Sequence, residues 1–391
     1  MLISAAVVAC ASSVAALADN PPPGQVLSNF ENHYSANIVR DCGYSQPLPA
    51  HPGSSLWLFC DTDVYGFNAQ GQWTLSDIIA GSTAAEGPAT PGNVPTGLSE
   101  LSTPGTGVPP IPNHNGPAQF LPTPSGLVTS GGLTGDSANH AYAASWVTGV
   151  TRDAARPSDL LISFNNYCVQ SGGSLLPEGF GLATYAPATN TRSGQVTVFT
   201  SPSGVALAQQ ERLGSPIFAG GYLYLFASLC NRTYDATCIS DSGNAVYLAR
   251  VSANPSAWDN AGGYRWYAGP SSWTASPGSA VSVISGARPL SVTVSDFSAL
   301  GHGLALIEQT NIVGGFTVFQ ASRPSGMWQE KTSGTVPCTI EGDGFCRSII
   351  GHPELSTRSR LLVSFFNPGA VPHYNPSAGA EGHVTVAAFP W

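Results

Sequence analysis

Short apolar segments recur along the chain in five similar groups. In each group an apolar segment, rich in β-branched and aromatic residues, ends in polar residues, and this pattern predicts a buried strand. The five segments are residues 56–61, 160–165, 222–228, 304–309 and 361–367. A second strand is predicted after each of them, at residues 64–73, 180–191, 245–258, 316–328 and 383–391.

A further short strand is predicted before each apolar segment, at residues 37–44, 141–149, 213–219, 290–297 and 349–355. Five repeats of three or more strands predict an all-β fold, a five-bladed β-propeller in which the first strand of each blade lines the central channel. The last strand, which ends at Trp391, is expected to close the ring against N-terminal strands. A large β-sandwich is the alternative architecture.

Composition supports many short strands joined by turns. Only 9% of the 391 residues are charged, and the chain contains 44 glycines and 32 prolines. We expect one propeller domain over residues 19–391. Proline, glycine, serine and threonine dominate residues 80–124 without any periodicity, so we predict a long irregular loop there.

The N-terminus resembles a secretory signal. Residues 1–18 are apolar and end in Ala-Leu-Ala, which fits a signal peptide with an A-x-A cleavage site, although no basic residue precedes the apolar run. A buried first strand and a lipoprotein signal that ends at Cys10 are the alternatives. No later apolar segment approaches the ~20 residues that span a bilayer. We therefore expect a secreted, extracellular protein without a membrane span.

The eight cysteines fit an oxidising compartment. Nearby cysteines could in principle bind a metal, but no histidine or cysteine stands at the usual zinc spacing, so we favour disulfides and predict no metal site. Cys168 remains as a buried thiol. The expected disulfides are Cys42–Cys60, Cys230–Cys238 and Cys338–Cys346.

Net charge and motifs exclude several functions. The net charge is −9 and no lysine or arginine cluster occurs, so nucleic acids and anionic membranes are poor partners. The chain has no P-loop, no dinucleotide-binding fingerprint, no G-x-S-x-G and no H-E-x-x-H motif. We expect no cofactor, and we expect a monomer.

Two aspartates lie beside two cysteines on neighbouring predicted strands. If Cys42 lies opposite Cys60 in an antiparallel pair, Asp41 lies opposite Asp61, because both pairs of positions have the same sum. Because side chains alternate between the two faces of a strand, the disulfide then lies on one face and the carboxylates lie on the other. Opposed residues have Cβ atoms about 4.5–5.5 Å apart. Close carboxylates raise one pKa, and paired carboxylates perform glycoside hydrolysis. An ordinary strand pair with solvated acids is the alternative.

Other charged residues are weaker candidates for the same site. Asp63 could share the face of Asp61, but we interpret it as a solvated loop residue. Glu354 is the reserve acid, and His352 either binds a sugar hydroxyl or is structural. Arg288 either neutralises the acidic centre or is a surface cation, and Glu211 is a third possible acid site.

Two motifs carry a resemblance to a known family. Residues 40–45 read RDCGYS and residues 56–62 read LWLFCDT. They resemble the RDGG-S and LW-FGDT signatures of secreted actinobacterial propellers classed as endo-D-arabinanases, glycoside hydrolase family 183. The resemblance implies a five-bladed propeller that cuts the D-arabinan of mycobacterial arabinogalactan and lipoarabinomannan, with Asp41 and Asp61 as catalytic residues. Cys42 and Cys60 stand where the family pattern has glycine, and their joint occurrence favours a disulfide.

The sequence thus predicts a secreted glycoside hydrolase whose partner is a furanosidic polysaccharide, most specifically D-arabinan. Asp41 and Asp61 are expected to be the acid and the base or nucleophile. A non-catalytic glycan-binding propeller is the alternative from a different class, and a hydrolase of L-arabinan or fructan is the alternative within the same class.

Overall fold

The computed structural model describes residues 25–26, 37–95, 97–105, 118–123, 142–169, 175–200, 213–229, 245–285, 287, 289–342, 344–370 and 382–391. These residues form strands and short 3-10 turns, and the strands assemble into five antiparallel sheets. Residues 1–18, Cys230, Cys238, Glu211 and Arg288 lie outside the described part of the chain.

Each sheet is one blade, built from consecutive strands. Blade 1 contains β2 (Asn37–Pro47), β3 (Ser54–Phe67), β4 (Trp73–Ile79), β5 (Thr83–Pro88) and β6 (Ser99–Glu100). Blade 2 contains β7 (Tyr142–Arg152), β8 (Leu160–Val169), β9 (Leu175–Ala186) and β10 (Thr191–Thr200). Blade 3 contains β11 (Leu213–Ala219), β12 (Tyr222–Leu229), β13 (Ala245–Ser252), β14 (Arg265–Gly269) and β15 (Ser272–Thr274).

The last two blades complete the ring. Blade 4 contains β16 (Ser291–Asp296), β17 (Leu304–Gln309), β18 (Gly315–Ala321) and β19 (Gln329–Thr335). Blade 5 contains β20 (Arg347–Gly351), β21 (Arg360–Asn367) and β22 (His383–Pro390), together with β1 (Gln25–Val26) as its outer strand. Gln25 pairs with Val386, so an N-terminal strand closes the last blade, as predicted.

The first strands of the blades surround a common axis. β2, β7, β11, β16 and β20 contact one another in that order, and β20 contacts β2. The chain is therefore an all-β, five-bladed propeller, and this prediction is confirmed. The five predicted inner strands match these elements within a few residues.

Blade 1 departs from the prediction. β3 continues to Phe67, and the third main strand of the blade is β5, which lies inside the segment predicted as an irregular loop. Ala84 and Ala85 of β5 are fully buried, and so are Leu98, Phe120 and Leu121 further along that segment. The prediction of a structureless loop over residues 80–124 is therefore wrong for these residues. Small residues that pack between neighbours leave no strong apolar pattern in the sequence.

The core lies between the blades. β8 is buried along its whole length because blades pack against both of its faces. Leu160, Ile162 and Phe164 pack with residues of blade 1, whereas Leu161 packs with residues of blade 3. Each such side chain contributes about 1.5–3 kcal/mol by leaving water.

The predicted disulfides are present wherever the structure describes both cysteines. Cys42–Cys60 and Cys338–Cys346 form disulfides, and Cys168 is a buried thiol. Among the described residues, no helix has the length and apolar character needed to cross a membrane.

Candidate active site

A β-bulge interrupts the pairing of β2 with β3 at the aspartates. Arg40 pairs with Thr62 in the predicted register, but Cys42 pairs with Phe59. Cys42 adopts a left-handed backbone, with φ of 66°. The disulfide still forms, since the Cα atoms of its two cysteines are 5.5 Å apart, within the usual range for such a bond.

The bulge changes which groups share a face. A carboxylate oxygen of Asp41 and the Sγ atoms of Cys42 and Cys60 lie within 4.8 Å of one another. The prediction that the disulfide and both carboxylates occupy opposite faces is therefore wrong for Asp41, because a left-handed residue breaks strand alternation. The described residues contain no other group of three potential metal ligands, and here both sulfurs are bonded to each other, which leaves no thiolate for a metal.

Asp41 forms an ion pair across the closure of the ring. Its Oδ2 accepts a hydrogen bond from Nε of Arg347, the first residue of β20, at 2.7 Å. The guanidinium of Arg347 also lies over the ring of Phe366, 3.8 Å from its centroid. Sequence reasoning missed Arg347, because no local signal shows that the start of blade 5 meets the middle of β2.

Asp61 is held by three donors. Its Oδ1 accepts hydrogen bonds from the backbone N–H of Gly81 at 2.6 Å and from Nε1 of Trp146 at 2.7 Å. Its Oδ2 accepts one from the hydroxyl of Tyr142 at 2.5 Å. Burial raises the pKa of Asp61 from 3.8 to about 6, although the three hydrogen bonds lower it, and the charge of Asp41 adds to the rise.

Tyr142 is suited to remain a donor to Asp61. Burial and the adjacent Asp61 carboxylate both raise the pKa of the Tyr142 phenol. Tyr142 and Trp146 are four residues apart on β7, so strand alternation places them on the same face of blade 2. Blade 2 thus supplies two of the three groups that fix Asp61.

Asp63 belongs to the same group of carboxylates. The pKa of Asp63 is raised from 3.8 to about 7, chiefly by burial and also by the charges of Asp61 and Asp41, whereas Arg347 lowers it. The interpretation of Asp63 as a solvated loop residue is therefore wrong. The signal was present in the sequence, since Asp63 is two positions from Asp61 on one strand. We call Asp41, Asp61 and Asp63 the carboxylate cluster.

Glu354 and His352 lie elsewhere. Ser45 Oγ donates to Glu354 Oε1 and lies 2.6 Å from His352 Nδ1. Ser45 lies beyond the bulge on β2 and pairs with Trp57, whereas Arg40, the neighbour of Asp41, pairs with Thr62 on the other side of the bulge. The structure therefore brings Asp41 and Asp61 together but does not bring Glu354 or His352 to them. The reason is that Arg347 begins β20, whereas His352 and Glu354 follow its end.

The group of Ser45, His352 and Glu354 lies between blades 1 and 5, with His352 fully buried and the other two residues partly buried. The ring of Trp57 lies 4.9 Å from that of His352. Burial raises the pKa of Glu354 and lowers the pKa of His352 to about 3. An imidazole and a carboxyl group in this environment both favour their neutral forms, which suits a structural role at the interface between blades 1 and 5.

No protein-family model matches this chain, and no curated protein sequence matches it. Among solved structures, it is similar to a candidate hydrolase from Bacteroides ovatus, with 16% identity, a TM-score of 0.60, and coverage of 92% of this chain and 88% of that one. At that identity the similarity concerns the fold.

Two further solved structures are more distant. One is Zg3597, a family 117 glycoside hydrolase from Zobellia galactanivorans, with 10% identity, a TM-score of 0.47, and coverage of 94% of this chain and 89% of that one. The other is an α-L-arabinanase from Penicillium chrysogenum in complex with arabinobiose, with 11% identity, a TM-score of 0.38, and coverage of 94% and 99%.

The raised pKa of Asp63 predicts a pH-dependent stability. Because the folded pKa is about 7 and the ordinary value is 3.8, the folded state favours the proton. The stabilisation from that proton is complete below about pH 4 and is lost as the pH rises through about 7. Thermal melts should therefore show a smaller loss of stability between pH 5 and pH 8 for Asp63→Asn than for the wild type. The exposed control Glu330→Gln should follow the wild type; identical pH dependence in Asp63→Asn would contradict the burial of this carboxyl group.

Ser45 is expected to stabilise the interface between blades 1 and 5. Ser45→Ala removes the hydroxyl that donates to the buried Glu354, so unfolding in urea should show a loss of about 1–3 kcal/mol. Ser272→Ala, at an exposed position of β15, should change stability by less than about 0.5 kcal/mol. Equal stability of the two variants would show that the interface between blades 1 and 5 does not depend on this hydrogen bond.

Proposed function

We propose that this protein is a glycoside hydrolase and that the carboxylate cluster is its catalytic centre. One observation carries the proposal: the three carboxylates have contrasting environments. Asp41 is paired with Arg347, whereas burial raises the pKa of Asp61 to about 6 and that of Asp63 to about 7. Glycoside hydrolysis needs one charged carboxylate and one protonated carboxyl group side by side.

Asp41 acts as the base or nucleophile in this proposal. The guanidinium of Arg347 at 2.7 Å supports its negative charge. Either Asp41 removes a proton from the attacking water, or it attacks the anomeric carbon and the resulting ester is hydrolysed in a second step.

Asp61 and Asp63 hold the proton for the leaving group. The two carboxyl groups interact, so their titration belongs to the pair. Tyr142, Trp146 and Gly81 fix Asp61, whereas no hydrogen bond to the Asp63 carboxyl group is found among the described residues. Asp63 is therefore the one that turns towards the substrate and donates its proton to the glycosidic oxygen as the bond to the anomeric carbon breaks.

The proposed substrate is a furanosidic polysaccharide, with the D-arabinan of mycobacterial-type cell walls as the leading candidate. The support is the resemblance of the two aspartate motifs to those of endo-D-arabinanases, together with the meeting of both motif aspartates in one cluster. The two disulfides support action outside the cell, where such bonds persist. The proposed protein is thus a secreted enzyme.

Removal of each carboxylate is expected to lower the hydrolysis of mycobacterial arabinogalactan. Asp41→Asn, Asp61→Asn and Asp63→Asn should each reduce kcat/KM by about 10²–10⁴-fold, the effect of losing a positioned acid or base. For Asp63→Asn the loss should be smaller on an aryl furanoside, whose leaving group departs without a proton. Release of reducing ends gives the rates, and Glu330→Gln is the exposed control. Full activity in all three variants would place the chemistry elsewhere. Binding without hydrolysis by the wild type would favour a glycan-binding propeller.

On the alkaline side of the pH profile, kcat/KM should fall near neutrality. A general acid works only while protonated, so kcat/KM should fall as the pH rises through about 6–7, where Asp61 and Asp63 lose their shared proton. The measurement is the initial rate on arabinogalactan between pH 4 and pH 9, at constant ionic strength. A rate that increases through pH 7 would contradict the assignment of the proton to this pair.

A further inference from the structure

The strand that carries Asp61 and Asp63 changes its partner on one edge at these residues, while its other edge stays paired with β2. β5 pairs with β3 only from Ser54 to Phe59, and from Thr62 onward β3 pairs with β4 instead. The last three pairs of this β3–β4 hairpin are Tyr65 with Leu75, Gly66 with Thr74 and Phe67 with Trp73. The hairpin therefore begins at the carboxylate cluster. Because β2 stays paired with β3 as far as Tyr65, only the tip of the hairpin, around Phe67 and Trp73, projects beyond the sheet.

One face of the hairpin is continuous with the carboxylates. Residues 61–66 of β3 alternate between partly exposed and buried, and Phe67 continues the alternation as an exposed residue, so the odd-numbered residues share the open face. Phe67 is 57% exposed and Leu75 is 42% exposed. The rings of Phe67 and Trp73 meet edge to face, with centroids 5.0 Å apart. We define the hairpin face as Asp61, Asp63, Tyr65, Phe67, Trp73 and Leu75.

The hairpin face changes from acidic to apolar along its length. Phe67 is four residues from Asp63, or about 13 Å at a rise of about 3.3 Å per residue. Exposed aromatic rings offer flat apolar area with little loss of side-chain entropy on binding. The acidic end disfavours anionic partners, and an apolar end without charge suits the C–H faces of a neutral sugar chain.

We propose that the hairpin face binds the polysaccharide chain beyond the bond that is cut. The occupant is a neutral furanosidic polymer, because the face is continuous with the proposed catalytic carboxylates. Phe67 and Trp73 stack against sugar residues several positions away from the scissile bond, and Tyr65 lies between them and Asp63. The inference rests on the proposed function and extends it. The enzyme should bind longer polysaccharide chains more tightly than short ones, as expected for an enzyme that cuts within a polymer.

The inference can be tested by substitution of the two aromatic rings at the hairpin tip, exposed Phe67 and partly exposed Trp73, in the full chain. The variant with Phe67→Ala and Trp73→Ala should raise KM for mycobacterial arabinogalactan at least about tenfold, which corresponds to about 1.4 kcal/mol, with kcat little changed. Its rate on an aryl furanoside, which cannot reach the hairpin tip, should equal that of the wild type. Met327→Ala is the matched control, because Met327 is 79% exposed and belongs to blade 4.

A binding measurement separates this inference from the proposed function. In the Asp41→Asn background, electrophoretic retardation in gels that contain arabinogalactan or plant arabinan should be lost with the double substitution and kept with Met327→Ala. The single variant Phe67→Ser, checked by its thermal melt, serves if the double variant does not fold.

The outcomes are distinct. Hydrolysis by the wild type, with an unchanged KM and unchanged retardation in the hairpin variants, would overturn the inference and leave the proposed function intact. Retardation that depends on Phe67 and Trp73, without hydrolysis by the wild type, would support the hairpin as a glycan-binding face and overturn the proposed catalysis. Neither hydrolysis nor retardation on either polymer would overturn both.

Discussion

The ion pair between Asp41 and Arg347 joins positions 306 residues apart and depends on closure of the propeller ring. Blade 5 must pack against blade 1 before the guanidinium can face the carboxylate. The pair matters because three acidic groups lie close together, and like charges in a partly buried site cost free energy. Arg347 offsets part of this cost at Asp41 and Asp63, and protonation relieves the rest at Asp61 and Asp63.

The bulge in blade 1 gives this cluster its geometry. A regular antiparallel pair would separate the disulfide from both carboxylates. The left-handed backbone of Cys42 instead places the disulfide beside Asp41. A covalent bond across a bulge restrains the very segment that would otherwise deform most easily. Bulges often occur beside active sites because they redirect a side chain, and Asp41 is redirected here towards Arg347.

The two ends of the β2–β20 contact have different chemistry. At one end, partly exposed carboxylates meet a cation, aromatic donors and an open hairpin. At the other end, Ser45, His352 and Glu354 form a group whose ionisable members favour their neutral forms. Acidic residues are therefore distributed by environment: the carboxylate cluster lies on a partly open face, whereas Glu354 packs at the junction of the first and last blades.

Features that depend on local pattern could be predicted from the amino-acid sequence. Repeated apolar segments with turns between them indicated five blades, and cysteines separated by 18 and by 8 positions indicated two disulfides that the structure confirms. Motif resemblance singled out Asp41 and Asp61. These features depend on residues that are close together in the chain. The alternation of side chains along a strand and the short loops between paired segments are therefore enough to predict them.

The composition of the site, in contrast, depends on how the blades pack together. Arg347, Tyr142 and Trp146 come from blades 5 and 2, and no local signal shows which residues face one another across blades. The register of β2 against β3 shifts at one bulged residue, which a pattern of alternation cannot reveal. The pKa of Asp63 depends on burial and on charges brought near by folding, and Glu354 is separated from the cluster by the length of a strand. Long-range packing sets these quantities, because desolvation and Coulomb interactions act through space and not along the chain.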